Sequence, residues 1–213
     1  MSVERYPGYD VLAKRPTLSW NDKTRQVIDQ RLAIDREPRF FTVPEWRTLN
    51  ALCDRILPQP ANRPPVPLAA YVDEKLRTDS RDGFRHVGLP PQREAWRVGL
   101  AALDETARSR AQPSFADLLA ARRDSFISEM QSGVLDGPAW RGMSSALFFK
   151  HRVLPDITAA YYAHPTAWSE IGFGGPASPR GYVRMGYDRH DPWEAEAAGA
   201  DPEAAARRNR DVV

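Results

Sequence analysis

The chain has 213 residues, 42% of them hydrophobic and 27% charged, enough to bury a real core as one domain with long arms, while 19 prolines against 13 glycines announce frequent helix ends and extended connections. Thirty Lys and Arg against 28 Asp and Glu leave a net charge of +2, so no whole-protein field recruits nucleic acid or an anionic membrane. The single cysteine, Cys53, excludes an internal disulfide, a cysteine-ligated zinc site, an iron–sulfur cluster and a C-x-x-C-H haem attachment.

Residues 1–39 read as an N-terminal arm. Tyr6-Pro7-Gly8-Tyr9 is turn-like, Ser19 to Asp22 offers caps for a short helix through Val27, Ile28 and Leu32, and Glu37-Pro38 closes it. Its apolar content is too thin for a core element, so it is expected to be a partly ordered tail or an arm that orders against a partner.

The first firm helix opens at Thr42, with Pro44 in its first turn and Glu45 placed to reach back in a capping box. Trp46, Leu49, Cys53 and Ile56 then share one face until Pro58-Gln59-Pro60 stops the run. Cys53 on that stripe reads as an inert, buried thiol. A second helix carries Leu68, Tyr71, Val72 and Leu76. A third starts near Pro91 and carries Trp96, Leu100, Leu103 and Ala107. A fourth is opened by Ser114 and Asp117 and runs through Leu118, Leu119, Phe126, Ile127 and Met130 to Gly133. The fifth spans Trp140 to Tyr162, with Pro155 breaking or kinking it. With no convincing alternating strand, the expected class is all-α, an irregular helical domain of about five helices.

Residues 164–193 then change character, with five Gly, four Pro and the aromatics Trp168, Phe173, Tyr182, Tyr187 and Trp193. Disordered chains are poor in large rings, and a loop of this length inside a compact domain is functional or is held by something else. Residues 194–213, rich in Ala, Glu and Arg, are expected to be a frayed helix or disordered tail.

Candidate chemistry is thin along the chain. Gly142-Met143-Ser144-Ser145-Ala146 lacks the second glycine and the preceding strand of a nucleophile elbow, so Ser144 reads as a helix-surface or first-turn residue. His86, His151, His164 and His190 show no metal-ligand spacing, and His164 reads as a satisfied imidazole or a C-terminal helix cap. Gly172-Phe173-Gly174-Gly175 is followed by Pro176 where a phosphate-cradling loop would start a helix, which argues against dinucleotide binding and for a chain packed closely on another surface. Glu170, Asp188 and Asp191 read as solvated or Arg-paired charges. A small carbohydrate-active lyase or isomerase using His164 or Glu170 beside Trp168, Tyr182 and Trp193 is the alternative function. No stretch approaches the length of an apolar membrane span, and the charged first 40 residues contain no export signal, so the expected location is cytoplasmic, or periplasmic if the chain travels with an exported partner.

Two stretches together resemble a known family. Phe40-Phe41-Thr42-Val43-Pro44-Glu45-Trp46, leading into Leu49, Ala51, Leu52, Asp54, Ile56 and Pro58, is similar to the opening helix of the gluconate 2-dehydrogenase subunit 3 family. Tyr161-Tyr162-Ala163-His164-Pro165, Trp168, Ile171-Gly172-Phe173-Gly174-Gly175-Pro176 and Pro179-Arg180-Gly181-Tyr182 resemble its closing motif. The resemblance covers about residues 40–193, drawn as one helical domain. It implies a small helical subunit without cofactor, catalytic or metal residues of its own. The implied partner is a large FAD-dependent subunit of the glucose-methanol-choline class that oxidises a sugar, glycoside, polyol or sugar acid and passes electrons onward, often to a cytochrome. The expected partner-contacting residues are Tyr162, His164, Trp168, Phe173, Arg180 and Tyr182, because interfaces favour aromatic and Arg anchors.

Overall fold

The structure, a computed structural model, describes residues 4–110, 114–176, 181, 185–186 and 190–212. All its regular elements are helical, with no strand among the described residues, as an all-α chain requires. They group into two compact units, one formed by Asp35–Tyr161 and the other by Met1–Ile34 with Tyr162–Val213.

The first unit is built on long amphipathic helices. In α2 (Val43–Ile56) the Thr42 amide donates to Glu45 Oε2 at 2.8 Å, the reach-back half of a capping box, and the Thr42 hydroxyl donates to the same oxygen. Leu49, Leu52 and Cys53 are buried on one face of that helix, and burial pushes the Cys53 thiol far above its ordinary range, keeping it unreactive. The next two helices, α3 (Leu68–Arg77) and α4 (Gln92–Ser109), contribute Val72, Leu76, Trp96, Leu100 and Leu103 to the same core. Gly99 stands mid-helix in α4 because a Cβ there would lie 2.3 Å from the Phe148 ring. Close packing outweighs the ~1 kcal/mol that Gly costs relative to Ala in a helix. Trp96 and Phe148 meet edge to face at 5.3 Å.

The fourth helix starts later than its capping pair suggested. Ser114 and Asp117 bracket a separate 3-10 turn, Phe115–Asp117, and α5 begins only at Ala120 and ends at Ser132. Asp104 is the cause: its carboxylate accepts from the Phe115 amide and the Thr48 hydroxyl, both at 3.0 Å, and so fixes Phe115 as a buried plug. Leu118 and Leu119 cross in extended conformation before the next helix forms.

The fifth helix also starts later, at Ser145, since Arg141 and Gly142 adopt positive φ and Ser144 caps α6 (Ser145–Phe148) by accepting from the Leu147 amide. Ser144 is thus a helix cap. Pro155 does not break this helix. A π turn, Phe149–Val153, carries α6 into α7 (Leu154–Tyr162), with the Leu154 amide bonding back to the Phe149 carbonyl. That wider turn lets the helix continue past a residue with no N–H to give.

A buried charge network locks α3, α4 and α7 together. Asp156, 4% exposed, accepts from Lys75 Nζ at 2.8 Å and from the Trp96 indole N–H at 2.7 Å. Lys75 also pairs with Asp82 at 2.6 Å. Burial opposes the charge on Lys75, but Asp156 and Asp82 outweigh it and raise its pKa. Asp73, also buried, accepts from the backbone amides of Arg39, Phe40 and Phe41 and so fixes the approach to α2.

The second unit overturns the expectation of a thin arm. Tyr9, Val11, Trp20 and Ile28 are buried in one cluster with Trp168, Ala195 and Val212. Few apolar residues suffice because several are large rings shared between distant segments. Asn21 caps α1 (Asp22–Leu32) by accepting from the Thr24 amide at 2.9 Å. At the other terminus α9 (Pro202–Arg210) is an ordered helix, with Asp201 as N-cap and Arg207, Arg208 and Arg210 in its last turn, where they complement the dipole. Asn209 ties it down, donating to the Pro7 and Glu196 carbonyls while accepting from the Glu196 amide.

Candidate functional site

The stretch from Tyr162 to Pro176 is organised around one short helix, α8 (Pro165–Ile171). His164 is its N-cap, with Nδ1 accepting from the Thr166 amide at 3.2 Å and Pro165 in the first turn, where no N–H is needed. The imidazole therefore caps the start of a new helix and not the end of the previous one, as its place after Tyr161-Tyr162 had suggested. A nitrogen that accepts this bond carries no proton, which fixes the hydrogen of a neutral ring on Nε2.

The other end of α8 explains the spacing of Trp168, Gly172 and Phe173. Gly172 adopts φ +69°, its amide donates to the Ser169 carbonyl, and the Phe173 amide donates to the Trp168 carbonyl at 2.8 Å. These two bonds form a Schellman motif, which is completed by an apolar contact across the turn. Trp168 and Phe173 supply that contact, edge to face at 5.8 Å and 89°. Gly172 is needed for its left-handed conformation and also for space, since a Cβ would sit 2.5 Å from the Tyr6 ring. Gly175, at φ +70°, lies close to Trp20, where a Cβ would meet the ring at 3.1 Å. The glycines thus close a helix C-terminus, which presents carbonyls, whereas a pyrophosphate needs the amides of an N-terminus.

Trp168 is 4% exposed. Its indole N–H donates to the Tyr162 carbonyl at 2.7 Å, the Arg31 guanidinium lies 5.5 Å over its ring, and Arg31 also reaches the Ala163 carbonyl. The next residue is clamped as well, Ser169 Oγ accepting from the Val11 amide at 3.1 Å. Trp168 is consequently the internal anchor of the site. The two expected contact residues beside it face solvent: Tyr162 is 51% and Phe173 38% exposed, and Ile171 is nearly half exposed. Arg180 and Tyr182 lie outside the described residues. Asp191 is buried and accepts from the Met185 and Gly186 amides at 2.6 and 2.9 Å, a backbone-bracing role instead of the surface charge expected of it.

The arrangement presents two half-exposed aromatic rings on either side of a buried tryptophan, each held by backbone hydrogen bonds. An aromatic ring has only two side-chain torsions to fix on association, which suits such rings to protein recognition. Sequence reading missed Tyr6, Val11 and Arg31 as the supports of this platform, because their partners are more than a hundred residues away. Among the described residues no three His, Cys, Asp or Glu side chains cluster as a metal site, and no helix is long and apolar enough to cross a membrane.

Residues 44–175 match the family described as Gluconate 2-dehydrogenase subunit 3, a match that begins at the first turn of α2 and ends at the glycines following α8. No curated protein and no solved structure matches the chain.

Proposed function

The chain belongs to the gluconate 2-dehydrogenase subunit 3 family, the accessory subunit of a dehydrogenase complex, and on that premise we propose that it binds and stabilises or matures a large FAD-dependent subunit of the glucose-methanol-choline class. That partner holds the flavin and oxidises a sugar, glycoside, polyol or sugar acid, with a cytochrome or another acceptor taking the electrons. The complex is cytoplasmic in this reading, or periplasmic if the partner carries both subunits outward.

The observation that carries the proposal is the platform around Trp168: Tyr162 and Phe173 remain half and about a third exposed although the helix between them is capped at both ends. Partly exposed rings on a well-packed support suit a protein contact. Arg180 and Tyr182 extend the proposed contact.

Co-expression with a glucose-methanol-choline-type flavoprotein of the same genome tests the assignment. The expected result is co-purification, with the large subunit more soluble and more fully flavin-loaded in the presence of this chain. A large subunit equally soluble, flavin-loaded and active alone would overturn it.

A further inference from the structure

A second feature lies wholly within residues 35–161 and does not depend on the partner assignment. Between the end of α3 and the start of α4 the chain forms a cavity of about 530 Å³, lined among others by Arg81, Asp82, Phe84, Arg85, Arg93 and Arg152. That volume falls within the ~300–1,000 Å³ of small-ligand sites.

The loop is shaped to make it. Asp79 follows α3 at φ +51°, its amide donating to the Leu76 carbonyl while the Ser80 amide donates to the Lys75 carbonyl, a Schellman turn with Asp where Gly is usual. The Asp79 carboxylate then holds Arg81 through Nε and Nη2 at 3.0 and 2.5 Å, and accepts from Gln92 Nε2 at 3.4 Å. Arg152 approaches from the π turn, and such turns recur at functional sites.

Arg152 is the informative residue. Its side chain is 9% exposed, and Nη1 donates to Asp82 at 3.0 Å and Gln92 at 3.4 Å. Its Nε and Nη2 make no hydrogen bond with any described residue. These two nitrogens stay open to solvent beside the cavity and still have hydrogen bonds to give, since a guanidinium has five donors. Asp82 is shared with Lys75, which also pairs with Asp156, so this network of two cations and two carboxylates has no anion to spare for the other guanidinium groups of the cavity. Burial works to raise the Asp82 pKa, but Lys75 and Arg152 hold it below the ordinary carboxylate value, so it remains an anion engaged by both. Of the other cations, Arg93 stacks over Phe40 at 5.0 Å and acts on Asp79 only through its field, and among the described residues neither Arg93 nor the exposed Arg85 forms a salt bridge. Four guanidinium groups therefore line a cavity that holds two carboxylates, both already engaged.

We propose that this cavity binds a small molecule bearing a carboxylate or phosphate group, with the unmet edge of Arg152 as the anchor and Arg85 and Arg93 closing over the oxyanion. Planar guanidinium edges match both groups in bidentate fashion. Phe84, exposed at the rim, offers an apolar face to the remainder of the ligand.

The test uses the full chain titrated with sodium phosphate and with sodium succinate against sodium chloride at matched ionic strength and pH, read by thermal shift and calorimetry. Saturable stabilisation by one or both oxyanions is expected, and which of them binds identifies the ligand group. Arg152→Met should abolish it. Because Arg152 also pairs with Asp82, the exposed double variant Arg85→Gln/Arg93→Gln provides the second arm. It should melt like the parent and bind about tenfold or more weakly, equivalent to ~1.4 kcal/mol, while Arg122→Gln on the surface of α5 should change nothing. No saturable response beyond chloride, or one unaltered in the double variant, would overturn the proposal.

Discussion

In the unit formed by residues 35–161, α2 and α4 run 14 and 18 residues and bury continuous apolar stripes. In the unit formed by the two ends of the chain no described helix exceeds 11 residues, and order rests on caps, a Schellman turn and a few shared rings. A long stripe spreads its stability over many contacts, so removing one peripheral group changes little. A unit of short elements concentrates stability in a handful of groups, and each helix is below the length at which it would persist alone. The second unit is therefore the one that a single substitution can loosen, and the one whose order a partner can reinforce.

The largest expected effect is nevertheless in the first unit, where charge is buried. Asp156→Ala strands the buried Trp96 indole N–H and leaves the Lys75 ammonium with Asp82 alone, and should destabilise the chain by about 3–5 kcal/mol, measured by chemical denaturation. A result near zero would mean that the network does not lock α3, α4 and α7. Next comes Trp168→Ala, expected to cost about 3–5 kcal/mol, with hydrogen exchange rising in residues 5–34 and 162–176 while α2 and α4 stay protected. Uniform loosening of both units would break the contrast drawn between them. Gly99→Ala, which drives a methyl into Phe148, should cost about 1–3 kcal/mol. Gly172→Ala, strained at positive φ and against Tyr6, should cost more than about 1 kcal/mol, with its exchange effect confined to the terminal unit.

The smallest effect is on pH. Partial burial, with His86 at a ring distance of 4.7 Å and Lys150 and Arg152 nearby, lowers the His151 pKa from its ordinary 6.5. The folded state thus binds this proton less readily than the unfolded chain. The stability concerned is present above about pH 6.5 and is lost as pH falls through the folded value. His151→Gln should flatten the acid side of the melting-temperature profile slightly, and an unchanged profile would remove His151 from the account.

Much of the helical body was legible in the sequence because its signals are local. The apolar spacing of Leu49, Cys53 and Ile56, and the Thr42–Glu45 pair, each specify a helix within one window. The misplaced starts of α5 and α6 have non-local or conformational causes: Asp104 pins Phe115 from another helix, and Arg141 and Gly142 take up left-handed geometry. The terminal unit was harder to read because Val11, Trp20 and Ile28 become core only through Trp168 and Val212, across the length of the chain. Within the candidate site the Gly172 turn could have been read from Trp168-x-x-x-Gly172-Phe173, where ring, glycine and ring have Schellman spacing. The buried role of Asp156 carried a weaker signal, a carboxylate one turn from Val153 and Ala160 on an apolar face.

Hydrogen exchange of the chain, free and bound to the co-expressed flavoprotein, addresses the central claim most directly. Partner binding through the Trp168 platform predicts new protection at residues 162–173, together with tenfold or greater weakening by Tyr162→Ala, equivalent to ~1.4 kcal/mol, at unchanged thermal stability. Protection appearing only in residues 35–161, with Tyr162→Ala binding as the parent does, would contradict it.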